Sequence, residues 1–141
     1  MSKLFKLSQL TKTKIKPKIT SKFIPIKIGG DPSSKGKSEA QIEREICSYL
    51  KIKKIKFWKI KIKGERHTFD GVEFYKKSPN KGFADLLLCF RGKFISLEVK
   101  KFKGIASTDQ LEVQNEVQQA EGIYEFVTSV QEVQKYHICS K

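Results

Sequence analysis

Two apolar runs separated by two residues lie in the second half of the chain and indicate a β-hairpin. The runs are FADLLLCF (residues 83–90) and KFISLEVK (residues 93–100), and Arg91-Gly92 lies between them. Strand-length apolar runs joined by a short connection that contains glycine are typical of antiparallel strands with a tight turn. The chain is therefore expected to fold around a sheet that contains this hairpin.

The same hairpin places two acids and a lysine close to the apolar strands. If Arg91 and Gly92 form the whole turn, the register sets Asp85 opposite Glu98. Directly opposed side chains have Cβ atoms about 4.5–5.5 Å apart, so the two carboxylates repel each other unless a cation lies between them. Lys100 shares the face of Glu98 because strand side chains alternate. Arginine is unfavourable at the first position of a type I′ turn, and a bulge there would shift the pairing by one residue.

Three capping-box patterns predict where helices begin. They are Ser38–Gln41, Ser107–Gln110 and Ser129–Glu132. The first helix is expected to run to about Leu50, and the second to about Glu121, where Gly122 would end it. The third helix is short and is expected to run toward His137.

The segment after the first predicted helix alternates like a half-buried strand. In residues 51–63, Trp58, Ile60 and Ile62 are expected to face the core because they recur with a period of two. Such a pattern puts the intervening lysines on the opposite side, where they form either a solvated face or a row of phosphate contacts. These lysines are Lys59, Lys61 and Lys63.

The order of the predicted elements places the chain in the α/β class. Residues 64–82 are polar and read as a long connection with a short strand around Val72–Tyr75, and residues 123–129 form a last strand. The predicted order is α-β-(β)-β-β-α-β-α, which corresponds to a mixed β-sheet flanked by helices.

The chain is expected to divide at Ser38 into a basic arm and one folded domain. Residues 1–37 contain ten lysines and a single acid, Asp31, together with prolines and a glycine pair that disfavour regular structure. We expect a flexible, basic N-terminal arm over residues 1–37 and a domain over residues 38–141. A short edge strand in FIPIKI (residues 23–28) is the alternative for part of the arm.

The charge balance points to an anionic partner. The chain has 29 Lys and Arg against 15 Asp and Glu, a formal net charge of +14. Nucleic acid is the commonest polyanion that such proteins bind. A composition rich in Lys and Ile also fits an AT-rich genome, so the charge gives DNA binding only modest support.

Other functional classes are disfavoured by what the sequence lacks. The three cysteines are far apart and the chain has only two histidines, so neither a disulfide framework nor a zinc site is expected. No apolar run is long enough to cross a membrane, and no hydrophobic signal core follows Met1. We therefore expect an intracellular protein without a membrane partner.

The first predicted helix carries two glutamates on its packing stripe. At about 100° per residue, Glu39 and Glu43 share one side of the helix with Ile46 and Leu50. One of the two is expected to reach the sheet as a third carboxylate, and the sequence does not distinguish between them. A glutamate near a helix N-terminus also interacts favourably with the helix dipole, which is the structural alternative for Glu39.

This set of residues meets the needs of phosphodiester hydrolysis. Carboxylate oxygens hold hard cations such as Mg²⁺ or Mn²⁺, which also take phosphate oxygens of a substrate. A bound metal lowers the pKa of a water molecule, and a neighbouring lysine can orient that water and stabilise developing charge. Taken alone, Glu98 and Lys100 would more often be a surface pair on a strand than a catalytic pair.

Five stretches together resemble the VRR-NUC domains of the PD-(D/E)XK nuclease superfamily, and the small stand-alone phage-type members are the most similar. They are SEAQIEREICSYLKIKKIKFWK, GFADLLL, GKFISLEVK, STDQ and EGIYEFVTSVQEV. Each motif is weak by itself, but they follow the family's order and cover about residues 38–136. Ala84 departs from the proline that often precedes the aspartate in this family.

The resemblance implies a restriction-endonuclease-like fold and a role for each matching residue. Asp85, Glu98, Lys100 and Gln110 would form the catalytic site, with Lys100 positioning or activating the attacking water. The metal ligands would be Glu39, Asp85, Glu98 and the main-chain carbonyl of Val99. Gln110 also occupies the reciprocal position of its capping box, so a structural role is the alternative for it. The lysines expected to contact DNA are Lys59, Lys61, Lys63, Lys101 and Lys103.

The implied activity is that of an endonuclease that uses Mg²⁺ or Mn²⁺ and no organic cofactor. Relatives act on flapped or branched DNA and on Holliday junctions, often as homodimers, so the resemblance implies a structure-selective role in phage or bacterial DNA repair or recombination. A basic DNA-binding module with a degenerate site and a virion-associated structural protein are the two alternatives.

Overall fold

A computed structural model describes residues 26–135 and shows an α/β protein. A short 3-10 turn covers Pro32–Ser34. The helices are α1 (Glu39–Ile52), α2 (Thr108–Gln119) and α3 (Val130–Lys135). The strands are β1 (Ile26–Lys27), β2 (Phe57–Lys59), β3 (Glu65–Phe69), β4 (Val72–Lys76), β5 (Leu86–Phe90), β6 (Lys93–Val99), β7 (Ile105–Ala106) and β8 (Ile123–Val127).

A four-stranded mixed sheet of order β2-β5-β6-β8 forms the centre of the fold. Its first three strands are antiparallel, and β8 runs parallel to β6. Phe90 pairs with Lys93, so the predicted hairpin register is confirmed. Arg91 and Gly92 have φ values of 50° and 74°, as a two-residue type I′ turn requires, and no bulge shifts the pairing.

One face of this sheet carries the hydrophobic core. Leu86, Leu88, Leu97 and Val99 alternate along β5 and β6 and are almost fully buried. They pack in one cluster with residues from α1, namely Ile42, Ile46 and Leu50. Helix α1 also packs against α3, so both helices lie over this face of the sheet.

Helix α2 covers the opposite face. It packs against β8, where Gln114 Nε2 donates a hydrogen bond of 3.1 Å to the carbonyl of the buried Tyr124. Tyr124 donates its hydroxyl to the Gly82 carbonyl at 2.9 Å, which holds the chain before β5 against this face. Gly82 has a φ of 87°, and a Cβ there would collide with the backbone of Asp109 in α2.

The predicted helix starts are confirmed, and the second helix ends two residues before the expected Glu121. Both reciprocal hydrogen bonds of the capping box form at the starts of α1 and α2. Helix α2 ends at Gln119, and Glu121 takes the left-handed conformation with a φ of 63°. The next residue is Gly122, which lies so close to Val117 that a side chain would not fit. A Cβ at this position would lie 2.8 Å from Cγ1 of Val117.

The strand after α1 presents the opposite face from the one predicted. Trp58, expected in the core, has 46% of its surface exposed, whereas Ile55 is buried and Phe57 packs against the core. Pairing decides this, because Phe57 is opposite the buried Leu88 and Lys59 is opposite the buried Leu86. The strand also ends at Lys59, so the alternation expected through residue 63 does not continue as a strand.

The long connection over residues 64–82 contains more structure than the single short strand expected. β3 and β4 pair as a separate two-stranded hairpin, and its turn residues Asp70 and Gly71 have φ values of 50° and 75°. From α1 onward the described order is α-β-β-β-β-β-β-α-β-α, which adds β3 and β7 to the predicted elements.

Residues 26–37 of the predicted arm make specific contacts with the rest of the chain. The edge strand that the sequence left open is present at β1, which pairs with β7. Asp31 receives a hydrogen bond of 2.9 Å from the Ser129 hydroxyl, and its backbone N–H donates to Thr128 Oγ1 at 2.8 Å. Residues 1–25 of the arm and the end of the last predicted helix at His137 lie outside the described residues.

Within residues 26–135, no helix combines the length and the apolar character that crossing a bilayer requires.

Replacing Leu97 with Ala is expected to lower the free energy of unfolding by about 2–5 kcal/mol, because it leaves a cavity where α1 meets the sheet. Urea unfolding followed by circular dichroism measures the loss. The control is Ile52→Ala, at a position 77% exposed on the last turn of α1, which should change the midpoint little. Equal effects of the two substitutions would contradict the assignment of this core.

Candidate functional site

The hairpin of β5 and β6 brings Asp85 and Glu98 to one end of the central strands. Asp85 directly precedes β5, and extension of the observed register sets it opposite Glu98. Two bonds hold Asp85 in place: its Oδ2 accepts the Val99 N–H at 2.9 Å, and its carbonyl accepts the Ile60 N–H at 2.8 Å. The register observed over Leu86–Phe90 thus agrees with the expected position of Asp85, and the charge of Asp85 acts on Glu98.

Glu98 is a buried carboxylate with two polar neighbours. Its side chain is only 7% exposed, and Oε1 lies 3.5 Å from Lys100 Nζ. The same oxygen accepts a hydrogen bond from Gln110 Nε2. Loss of solvation raises the pKa of Glu98 to about 7, the charge of Asp85 adds to the increase, and Lys100 only partly offsets it.

Asp85 is held in the same unfavourable environment. Burial raises its pKa above the usual value, and the Val99 N–H bond opposes that change. Glu43 is the nearby acid that raises it most, and Lys100 again lowers it. The two strand carboxylates therefore lie close together with less positive charge around them than two ionised acids need.

Gln110 both caps α2 and contacts Glu98, and its role in catalysis stays a prediction. Its Oε1 accepts the Ser107 N–H at 2.9 Å, which completes the capping box of α2. Its Nε2 donates to Glu98 at the same time. The start of α2 is thus tied directly to the acid on β6, and the amide fixes where the Glu98 carboxylate lies.

Both glutamates of α1 lie near the strand acids. Glu39 Oε1 accepts the backbone N–H of Lys101 at 3.3 Å, just past the end of β6. Glu43 forms an ion pair with Lys59 and lines a groove together with Asp85. The structure therefore brings both candidates to the site.

The predicted DNA-contact lysines fall into two groups. Lys59, Lys61 and Lys63 line the groove that contains Asp85, and the hydrogen bond that Lys59 donates to Glu43 raises the pKa of Lys59. Lys101 and Lys103 follow β6, and the Lys103 ammonium lies 5.4 Å from the centre of the Phe102 ring. The structure thus places the first group beside the acids and gives no direct contact between the acids and the side chains of the second.

Sequence reasoning missed part of the cavity that lies over the two acids. Ile60, Ile62, Lys81 and Phe83 line it together with Asp85, Glu98 and Gln110. Ile60 and Ile62 had been expected in the core, and Lys81 lies in the long connection, where no periodic pattern marks it. Lys81 is placed by an ion pair with Asp109 in the first turn of α2.

The donor atoms at this site fit a hard divalent cation. Among residues 26–135, no three His, Cys, Asp or Glu side chains are already arranged as a metal site. The two neighbouring carboxylates nevertheless offer only oxygen ligands, and burial together with the charge of Asp85 raises the pKa of Glu98. Asp85, Glu98, Glu39 and the Val99 carbonyl all stay predictions as ligands.

A scan against protein-family models and searches of curated proteins and of solved structures found no match to this chain. The resemblance to the VRR-NUC domains stays a prediction.

Replacing Glu98 with Gln is expected to stabilise the metal-free protein above neutral pH. Because the folded-state pKa of Glu98 is raised from 4.5 to about 7, the folded state holds the proton more tightly, and the stability of the wild type falls as pH rises between these values. The fall attributable to Glu98 is about 3 kcal/mol, and the Gln side chain removes it. Urea unfolding in EDTA from about pH 5 to pH 8 measures the difference.

The control is Glu112→Gln, at an exposed position on α2. It should keep the pH profile of the wild type. An E98Q protein whose stability follows the wild-type pH profile would show that ionisation of Glu98 does not lower the free energy of unfolding.

Proposed function

We propose that this chain is an endodeoxyribonuclease that uses Mg²⁺ or Mn²⁺ and belongs to the VRR-NUC domains of the PD-(D/E)XK superfamily, with a restriction-endonuclease-like fold. The observation that carries the proposal is the meeting of Asp85, Glu98 and Lys100 at one end of the sheet. Glu98 is buried there and Asp85 is partly buried, beside a groove lined with lysines.

The roles of the side chains follow from their surroundings. Asp85 and Glu98 would hold the cation, because the Val99 N–H and the Gln110 amide fix their carboxylates in place. When bound, the cation supplies an activated water molecule and neutralises charge on the phosphate. Glu98 must lose its proton for this role, so binding should strengthen as pH rises through about 7.

Lys100 would act on the attacking water or on the phosphate. Its side chain is 12% exposed, and its ammonium is held 3.5 Å from Glu98. Its backbone N–H donates to the Val127 carbonyl at 2.9 Å, which continues the contact between β6 and β8. The ammonium is therefore held beside the proposed cation site, where it would orient the water and stabilise the developing charge.

The substrate is proposed to be DNA, bound mainly through its phosphates. The net charge of +14 and the lysines of the groove favour contacts that do not depend on base sequence. The resemblance adds flapped or branched DNA and Holliday junctions as substrates, a homodimer, and an intracellular role in phage or bacterial repair or recombination.

A basic DNA-binding module without catalysis is the second candidate. It is favoured by the same charge and by the lack, among the described residues, of three side chains already arranged around a metal. Such a protein would bind DNA without any need for Lys100.

Replacing Lys100 with Ala is expected to lower the rate of metal-dependent cleavage about 10²–10⁴-fold, because general acid–base and charge stabilisation contribute on that scale. Labelled single-stranded, duplex, flap and four-way-junction DNA with Mg²⁺ or Mn²⁺ serve as substrates. Lys93→Ala, at the exposed opposite end of β6, is the matched control and should cut like the wild type. DNA binding without cleavage by the wild-type protein would favour the binding module.

Replacing Lys61 and Lys63 with Ala together is expected to weaken DNA binding equally for unrelated sequences. Each lost phosphate contact should reduce the slope of log K against log salt by about 0.9 on duplex DNA. Fluorescence anisotropy in EDTA over a range of salt concentrations measures the slope. Lys51→Ala, on the last turn of α1, should leave it unchanged. An unchanged slope in the double variant would remove this groove from the DNA interface.

A further inference from the structure

The hairpin of β3 and β4 forms a second sheet with one apolar face. It pairs with no other strand among the described residues. His67 is paired with Phe74, and Phe69 is paired with Val72, so these four side chains share one face. No part of the proposed hydrolytic chemistry uses this hairpin.

The apolar face is unusually open to solvent. Phe69 is 76% exposed at the tip, and Val72 and Phe74 are also exposed. The ring of His67 stacks on that of Phe74, with centroids 5.5 Å apart and an angle of 20° between the planes. A group of exposed apolar side chains such as this one indicates a binding surface, because folding alone gives no reason to leave these side chains in water.

The base of the hairpin is basic. Lys63, Lys76 and Lys77 line a cavity there together with Ser78 and Pro79, and Glu65 is the single acid that lines it. Three lysines against one glutamate give the lining a net positive charge, which is complementary to a phosphate group. A ligand that is complementary to both the apolar face and the basic cavity of the hairpin therefore has flat or apolar groups as well as negative charge.

The hairpin is continuous with the candidate active site. Lys63 lines both the cavity at the hairpin base and the groove that contains Asp85. Asp85, Ile60 and Ile62 in turn line both that groove and the cavity over Glu98. One strand of a polyanion can thus run from the two acids along the lysines to the foot of the hairpin.

We propose that the β3–β4 hairpin stacks unpaired bases of a nucleic-acid strand whose phosphates lie along Lys63, Lys76 and Lys77. The proposal rests on the function proposed for the acidic site and names its substrate class: a strand that is single-stranded beside the cleaved phosphate. Aromatic rings next to a row of cations are the usual means of holding unpaired bases. Bases in a duplex are stacked on each other and do not offer their faces to Phe69 and Phe74.

The test uses the double variant Phe69→Leu/Phe74→Leu, which keeps the face apolar and removes the flat rings. Binding is measured by fluorescence anisotropy in EDTA, with oligothymidylate and a blunt duplex of equal length as probes. The double variant should bind oligothymidylate at least about ten-fold more weakly and the duplex within about two-fold of wild type. Ile52→Leu, at an equally exposed apolar position on α1, is the matched control and should bind both probes like wild type.

Three results would overturn the proposal. Equal losses on both probes would show a general contact with DNA. No loss on oligothymidylate would show that the rings do not stack on bases. A wild-type oligomer that dissociates when Phe69 and Phe74 are replaced by Ser, measured by sedimentation without DNA, would show that the face binds a second copy of the chain.

The outcome is separable from that of the nuclease proposal, because binding in EDTA does not require hydrolysis. Wild-type protein that binds oligothymidylate through Phe69 and Phe74 but cuts no DNA would support the hairpin and reject the nuclease. Wild-type protein that cuts DNA, together with a double variant that binds oligothymidylate equally well, would reject the hairpin alone.

Discussion

The pairing of β5 with β6 is the interaction on which the rest of the structure depends. Its register puts Leu86 opposite Leu97 on the face that α1 covers and, one residue further, Asp85 opposite Glu98 on the other face. The two-residue turn and the side-chain alternation set this register together, and a slip of one residue would turn every apolar side chain to the wrong face. The core and the acidic site are thus two consequences of one pairing.

That pairing has an electrostatic cost, which the surrounding elements reduce without removing. The Val99 N–H binds Asp85, and Gln110 and Lys100 bind Glu98, yet the pKa of both acids stays above its usual value. Two neighbouring acids with raised pKa values lower the stability of the fold at neutral pH, and the proposed cation site gives a reason to retain them. Gln110 links the helix to the acids, because its side chain completes the cap of α2 and also donates a hydrogen bond to Glu98.

The surfaces around the acids point to an extended ligand. The lysines after α1 line a groove on one side of Asp85, and the foot of the β3–β4 hairpin continues it through Lys63. Positive charge near the acids attracts a polyanion, while the aromatic face of the β3–β4 hairpin favours stacking with flat groups such as unpaired bases. The proposed division is therefore chemistry at the sheet, phosphate binding along the groove and base contact at the hairpin.

The sequence by itself determined the elements that local patterns specify. The tight turn at Arg91-Gly92 and the alternation of the flanking strands predicted the hairpin, and the capping boxes predicted where the helices begin, because both depend on residues close in the chain. The structure decided that no bulge shifts the pairing. Tertiary structure alone decided that Trp58 faces solvent and that Glu39 and Glu43 both reach the acids. It also decided that residues 26–37 pack on the domain. These outcomes depend on which surfaces distant segments cover, and a periodic pattern does not contain that information.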